Sequence, residues 1–227
     1  MPDNPTALPR AVTRSEWIAA RKEFLEKEKH LTRERDALSA ARRRLPMVKI
    51  EKDYVFEGPE GQVKLRDLFQ GRRQLIVYHF MYDPAWDKAC SGCTGFVRDL
   101  PNLAGLHEHD TSFAVIGRAP QAKLEAYRKL QGWDIPLYSS FGSDFNYDFQ
   151  ATTDETVAPS EYNYRPRAEH LANGEPWFAD GEHHGVSVFL RGGDTVFHTY
   201  STYARGVETM VPVLHYLDLT PLGRQGA

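Results

Sequence analysis

The sequence predicts an α/β fold, a helical arm leading into a domain built on a parallel sheet, and three observations carry that prediction. First, a buried-strand pattern at Leu75 to Met81 precedes a helical one at Phe96 to Leu106, and the strand Ser112 to Ile116 precedes the helix Gln121 to Leu130. Strand, helix, strand, helix requires crossover connections, which place the strands parallel. Second, Trp17, Phe24, Leu31, Leu38 and Leu45 recur every seven residues until Pro46 stops the pattern, which marks a long helix outside the domain. Third, 227 residues with 41% hydrophobic and 12% aromatic side chains supply one sizeable core and not several.

Each element has a local cause. Thr13-Arg-Ser-Glu16 is a capping box that opens the arm, residues 1–45, and the other faces of its helix are crowded with Arg, Lys and Glu. The domain, residues 46–227, begins with the alternating run Val48 to Phe56 and turn chemistry at Glu57-Gly-Pro-Glu-Gly61, after which Val63 to Phe69 reads as a short helix. The strand from Leu75 leads through Tyr82 to Ala89 into Cys90-Ser-Gly-Cys93, and Pro101 should kink or break the helix that follows. Residues 151–185 lack periodicity and read as one long loop, the kind of segment that serves as a lid or an interface. Val186 to Leu190 and Thr195 to Thr199 flank Arg191-Gly-Gly-Asp194, a hairpin signal, and a last helix is expected over about Val207 to Leu217.

Lys plus Arg is 28 and Asp plus Glu is 31, a net charge of -3, which argues against a protein built to grip nucleic acid. The arm is basic, with 11 basic and 6 acidic residues over 10–45, whereas 46–227 holds 17 basic and 24 acidic. That complementarity predicts an arm lying on its own domain or on a second subunit, the second arrangement being a homodimer through the arm. No apolar run approaches the roughly 20 residues of a membrane helix, so no membrane partner is expected. Met1-Pro-Asp-Asn-Pro5 lacks the basic and apolar regions of a secretory signal, and the expected location is the cytoplasm. Neither Gly-x-Gly-x-x-Gly nor Gly-x-x-x-x-Gly-Lys occurs, and no cofactor is expected.

Cys90 and Cys93 are the only cysteines. A four-residue disulfide loop would stabilise little, and a reducing compartment disfavours it, which leaves redox chemistry or metal. A strand ending in a loop, then Cys-x-x-Cys, then a helix, puts the first thiol at the helix N-terminus and the second about a turn inside. Unpaired N–H groups and the helix dipole favour a thiolate at the first position. Cys90 is then the attacking nucleophile and Cys93 the resolving thiol, acting on a thiol or disulfide substrate, protein or small molecule.

Leu75-Ile-Val-Tyr-His-Phe-Met81 before Cys-Ser-Gly-Cys resembles the bacterial thioredoxin-like family catalogued as domain of unknown function 899. So do Phe145-Asn-Tyr-Asp148, Gly185-Val-Ser-Val-Phe189 and His198-Thr-Tyr-Ser-Thr-Tyr-Ala-Arg-Gly206. In the arm, Glu16-Trp17, Arg33 to Asp36 and Arg42 to Pro46 match as well. The resemblance spans nearly the whole chain. It implies a thioredoxin-like fold, related in layout to peroxiredoxins, and a predicted dithiol-disulfide oxidoreductase. Two departures qualify the activity. Thioredoxins carry a cis-proline before the strand facing the cysteine pair, where this chain has His183-His-Gly185. Peroxiredoxins carry a threonine three residues before the peroxidatic cysteine, where this chain has Asp87.

Other residues have two readings each. Cys90 and Cys93 with His183 and His184, or with His107 and His109, would make a tetrahedral zinc or copper site. His79, inside a buried strand, reads as a core imidazole ahead of a proton-transfer group. Lys88 would favour the Cys90 thiolate, with Asp83 and Asp87 opposing it. Trp86 is expected near the thiols, Arg118 follows a parallel strand at the edge where such sheets bind ligands, and Tyr203 with Arg205 suits anion or substrate binding. Tyr203 reads equally well as part of a buried network fixing its turn. A non-catalytic scaffold whose arm dimerises is the remaining alternative.

Overall fold

The computed structural model describes residues 8–225; Met1 to Pro5, read above for a signal, and the first residues of the arm lie outside them. The chain divides into two compact units, Met47–Pro212 and the combination of Met1–Pro46 with Val213–Ala227. The second unit is dominated by helix α1, Arg14–Arg42, opened by Thr13, whose hydroxyl accepts from the Glu16 N–H while Glu16 accepts from the Thr13 N–H. None of its residues is buried, and the stripe of Trp17, Phe24, Leu31 and Leu38 is exposed. No helix among the described residues is long and apolar enough to cross a membrane.

The larger unit runs through β1 (Val48–Lys49), β2 (Val55–Gly58), β3 (Gly61–Lys64), β4 (Gln74–Phe80), α2 (Ser91–Arg98), α3 (Ala104–Glu108), β5 (Thr111–Gly117), α4 (Gln121–Gln131), β6 (Leu137–Ser139) and α5 (Phe145–Asp148). It continues through β7 (Thr152–Thr153), β8 (Glu161–Tyr162), β9 (Arg165–Pro166), α6 (Arg167–Ala172), β10 (Gly181–Glu182), β11 (Gly185–Gly192) and β12 (Thr195–Tyr203), and α7 (Pro212–Leu217) begins at its end. Eight strands form one sheet in the order β1-β12-β11-β4-β5-β6-β2-β3. β4, β5 and β6 are parallel, β11 runs antiparallel to β4, and β12 antiparallel to β11. The order β5-β4-β11-β12, with a helix between the two parallel strands and a hairpin completing the sheet, makes the fold thioredoxin-like.

The period of two along β4 sends its side chains to opposite faces. Leu75 and Val77 join one apolar cluster with Phe56, Phe69, Phe145 and Phe189, while Tyr78 and Phe80 join another with Cys93, Phe96, Val97 and Leu124. The cysteine helix therefore packs on the Tyr78 side.

Four expectations are corrected. Gly61–Lys64 is a strand paired with β2, not the start of a helix, because Gly61 takes φ +113° and turns the chain back on Val55–Gly58; only Asp67–Phe69 is helical, as one 3₁₀ turn. The helical stretch expected over Phe96 to Leu106 is two helices, α2 starting earlier at Ser91 and ending at Arg98, and α3, with the break spanning Pro101 as that proline predicts. The last helix is broken: Ala204–Met210 is 3₁₀, Val211 is extended, and α7 starts at Pro212, as expected where a proline disfavours helical backbone in the residue before it. Finally, 151–185 is not one loop but an ordered insert. It holds the ribbons β7·β10 and β8·β9, helix α6 and the 3₁₀ turn Pro176–Phe178.

Candidate active site

β4 ends at Phe80, the loop from Met81 runs outward, and the Cys90 N–H returns to the Met81 carbonyl at 3.1 Å. Cys90 is the N-cap of α2 with extended backbone, φ −57° and ψ 127°. Its carbonyl accepts from the N–H of Thr94 at 3.0 Å and from the Thr94 hydroxyl at 2.8 Å, which fixes the first turn. Cys90 is half-buried and Cys93 is only 2% exposed.

The two thiols differ in proton affinity, and the cause is their arrangement. The Cys93 thiol donates to the Cys90 sulfur, and the backbone N–H groups of Cys93 and Gly92 point at the same atom. These effects outweigh desolvation and bring Cys90 down to about 5, well below the range of an ordinary thiol. Cys93 is pushed up, first by donating to Cys90 and then by burial, while the Tyr78 hydroxyl acts on it in the opposite sense. Tyr78 is buried, stacks on Phe96 at 3.9 Å, and its hydroxyl favours the Cys93 thiolate, giving the order Tyr78, Cys93, Cys90. The sequence reading missed Tyr78. Its signal was its place on the Phe80 side of a strand that leads into the cysteine loop.

A cleft of about 320 Å³ opens beside the cysteines. Tyr78, Phe96, Phe178, Val207 and Val211 wall it, and His184, Arg205 and Glu208 supply its polar groups. Burial lowers the pKa of His184, whose Nε2 lies 3.3 Å from the Ala204 carbonyl. The Tyr162 hydroxyl donates to the His184 carbonyl at 3.0 Å and accepts from the Ala204 N–H at 2.9 Å. The insert thus braces both segments that face Cys90. Gly185 is required here, since a Cβ would lie 2.4 Å from the Tyr203 ring.

Of the residues expected at the site, Cys90, Cys93, His184 and Arg205 line the cleft. The Arg205 side chain is 86% exposed and pairs with Glu208 at 3.1 Å. Tyr203 is buried, donates its hydroxyl to the Phe149 carbonyl at 2.9 Å and is not among the residues lining the cleft. Arg118 is not a free cation: it bonds Glu182 at 2.6 Å and also Asp83, tying the loop before Cys90 to the segment before His183. Burial raises the pKa of Glu182, with Arg118 opposing the rise. Trp86 lies in the loop away from the cleft lining, its carbonyl held by Lys123, which also bonds the Pro84 carbonyl at 3.0 Å. Asp87 and Lys88 are exposed.

The four-ligand metal centre is not assembled. His183 places Nε2 on the Thr153 hydroxyl at 2.7 Å and stacks on Tyr162, and no group of three or more His, Cys, Asp or Glu is placed to hold a metal among the described residues. His107 lines a different cleft, and His109 Nδ1 lies on the Gly105 carbonyl at 2.8 Å. His79 is a core imidazole, its Nε2 2.8 Å from the Ser187 hydroxyl and its pKa pushed down to about 3 by burial.

No curated protein matches the chain. Three similar solved structures are a mutant of PrxQ from Xylella fastidiosa, peroxidoxin BcpB from Mycobacterium tuberculosis and the bacterioferritin comigratory protein of Xanthomonas campestris. The first is 10% identical, covering 76% of this chain and 97% of that one with a TM-score of 0.46. The second is 14% identical, covering 76% and 96% at 0.44, and the third 13% identical, covering 76% and 98% at 0.43. The family model described as a bacterial protein of unknown function, DUF899, matches residues 6–227, and by that extent the chain belongs to this family.

Proposed function

We propose that the protein is a dithiol-disulfide oxidoreductase in which Cys90 attacks and Cys93 resolves. The observation that carries this reading is the placement of the pair: Cys90 is the half-buried N-cap of a helix at the mouth of a cleft and Cys93 is buried one turn inside, an arrangement that lowers the pKa of the first thiol and raises that of the second.

The chemistry follows in two balanced steps. The Cys90 thiolate attacks one sulfur of a substrate disulfide, forming a mixed disulfide and expelling the other half as a thiolate. Cys90 then carries no negative charge, so the first cause of the high pKa of Cys93 disappears while the Tyr78 hydroxyl remains to stabilise a Cys93 thiolate. Cys93 attacks the Cys90 sulfur, the intramolecular disulfide forms, and the second half leaves as a thiol with the Cys93 proton. An external dithiol closes the cycle by the reverse sequence.

The test is a redox titration in thiol buffers of defined potential, with rapid alkylation and intact mass to count free cysteines. A reversible two-electron transition confined to Cys90 and Cys93 is expected. A pair that resists oxidation throughout refutes the reading.

A further inference from the structure

We infer that the cleft beside Cys90 takes a small, uncharged organic disulfide with apolar substituents, in preference to a peptide disulfide or a charged one. The inference rests on the exchange reading above and adds the substrate class.

Four observations carry it. The walls are apolar: the stacked Tyr78 and Phe96 rings, Phe178, Val207 and Val211. At about 320 Å³ the cleft stands at the small end of ligand sites, which span roughly 300 to 1,000 Å³. The charges at its rim are matched, because Arg205 pairs with Glu208 one turn on, and burial keeps His184 toward its neutral form. A charged disulfide would lose hydration on entry against little compensation.

The fourth observation concerns peptides, which commonly bind by adding a strand to a free sheet edge. From Gly185 onward β11 is flanked by β4 on one side and β12 on the other. Just before it, the His183 N–H is taken by the Ala151 carbonyl at 2.8 Å, and the His184 carbonyl accepts from Tyr162. The insert occupies the backbone groups that an extended peptide would need beside the cysteines.

Reduced full-length protein should be mixed with 2,2′-dipyridyl disulfide, with oxidised glutathione and with insulin, and thiol loss followed by stopped flow and intact mass. Dithiothreitol with the same probes sets their intrinsic reactivities. The expected result is that the rate ratio of dipyridyl disulfide to glutathione disulfide exceeds that of dithiothreitol by about tenfold or more, an advantage that burying one aromatic ring supplies. Val211→Lys, which adds a cation to the wall, and Phe178→Ala, which removes part of it, should each bring the ratio back toward that of dithiothreitol; agreement of the two guards against one variant misfolding. A wild-type ratio equal to that of dithiothreitol, or insulin reduced faster than dipyridyl disulfide after the same correction, overturns the inference. If Cys90 and Cys93 cycle normally in that case, the exchange reading stands alone. If they form no disulfide with any probe, both fall.

Discussion

Replacing Cys93 by alanine removes the thiol hydrogen bond that is the first cause of the low pKa of Cys90, and the pH dependence of Cys90 alkylation should report it. With a pKa of about 5, wild-type Cys90 is about three-quarters thiolate near pH 5.5, where an ordinary thiol of pKa about 8.5 is about one part in a thousand. Nucleophilicity falls with basicity at a Brønsted slope of about 0.4–0.5, so a thiolate about 3.5 units less basic reacts roughly 40-fold more slowly. The two factors nearly cancel around pH 7 and leave Cys90 about 20-fold faster than a free thiol around pH 5.5. Acid and not neutral pH is therefore where the arrangement becomes visible. The assay is iodoacetamide alkylation of reduced protein across about pH 4 to 9, resolved by peptide mass, with N-acetylcysteine as the reference. Wild type should level off above about pH 6, while Cys93→Ala should rise with an inflection more than about one unit higher. The sign is fixed: a depressed pKa means the thiolate persists as pH falls and is lost only on passing the folded-state value. A wild-type inflection near the ordinary thiol value, or one that Cys93→Ala does not move, would refute the reasoning.

Three further outcomes are expected. Tyr78→Phe keeps the ring stacked on Phe96 but loses the donor to Cys93, so mixed disulfides on Cys90 should persist about tenfold longer, the worth of a hydrogen bond to a charged group, while the Cys90 alkylation inflection barely moves. Gly185→Ala drives a Cβ into the buried Tyr203 ring, whose hydroxyl is anchored on Phe149, and should cost about 2 kcal/mol in urea unfolding; a loss below about 0.5 kcal/mol would show that the ring can yield. Arg118→Met leaves the buried Glu182 carboxylate without its cation and should cost about 3 kcal/mol at neutral pH. Because the pKa of Glu182 is already raised, and rises further without Arg118, that penalty should shrink as pH falls and the carboxyl protonates; a penalty unchanged down to about pH 4 would contradict it.

The legible parts of the chain were those whose signal is local. Leu75 to Met81 announces a buried strand by composition, the Arg191-Gly-Gly-Asp194 turn announces a hairpin, and Thr13 with Glu16 announces a helix start. The cysteine loop was readable for the same reason: strand, loop and helix follow one another within 25 residues, from Gln74 to Arg98. Val63 to Phe69 misled because its apolar spacing fits a helical turn, whereas the pairing of Gly61–Lys64 is set by a glycine with positive φ. The insert has no periodicity to read, since its ribbons are two residues long on each strand. It is held by side-chain links such as Arg167 to Asp180 at 2.9 Å and His170 to the Tyr162 carbonyl at 2.9 Å. Arg118 was legible as a residue at the ligand-binding edge of the sheet, but its partners Asp83 and Glu182 lie 35 and 64 residues away in sequence. Distance in the chain, and not ambiguity in the residue, hid its role.

The departure at His183-His-Gly185 acquires a physical meaning once the insert is seen. The segment ahead of β11 must be held against Cys90, and here it is held by the backbone and side chains of the insert. His183 is fixed by the Ala151 carbonyl, the Thr153 hydroxyl and the Tyr162 ring; His184 is fixed through its carbonyl by the Tyr162 hydroxyl and through its ring by Ala204. Ala204 takes φ +47°, a left-handed conformation that costs a residue with a Cβ about 1 kcal/mol or more. It persists because both its backbone groups are engaged, the N–H by Tyr162 and the carbonyl by His184. One phenol therefore sets the separation of the two segments bordering the nucleophile, and the strained turn it stabilises carries Arg205 and Val207 to the cleft. The His184 carbonyl spent on that brace, like the His183 N–H taken by Ala151, is a backbone group that a peptide substrate would use. Rigid positioning of the site and closure of its peptide edge are thus one structural event, and a chain that gained the first by an insert of this kind would be pushed toward small substrates by the second.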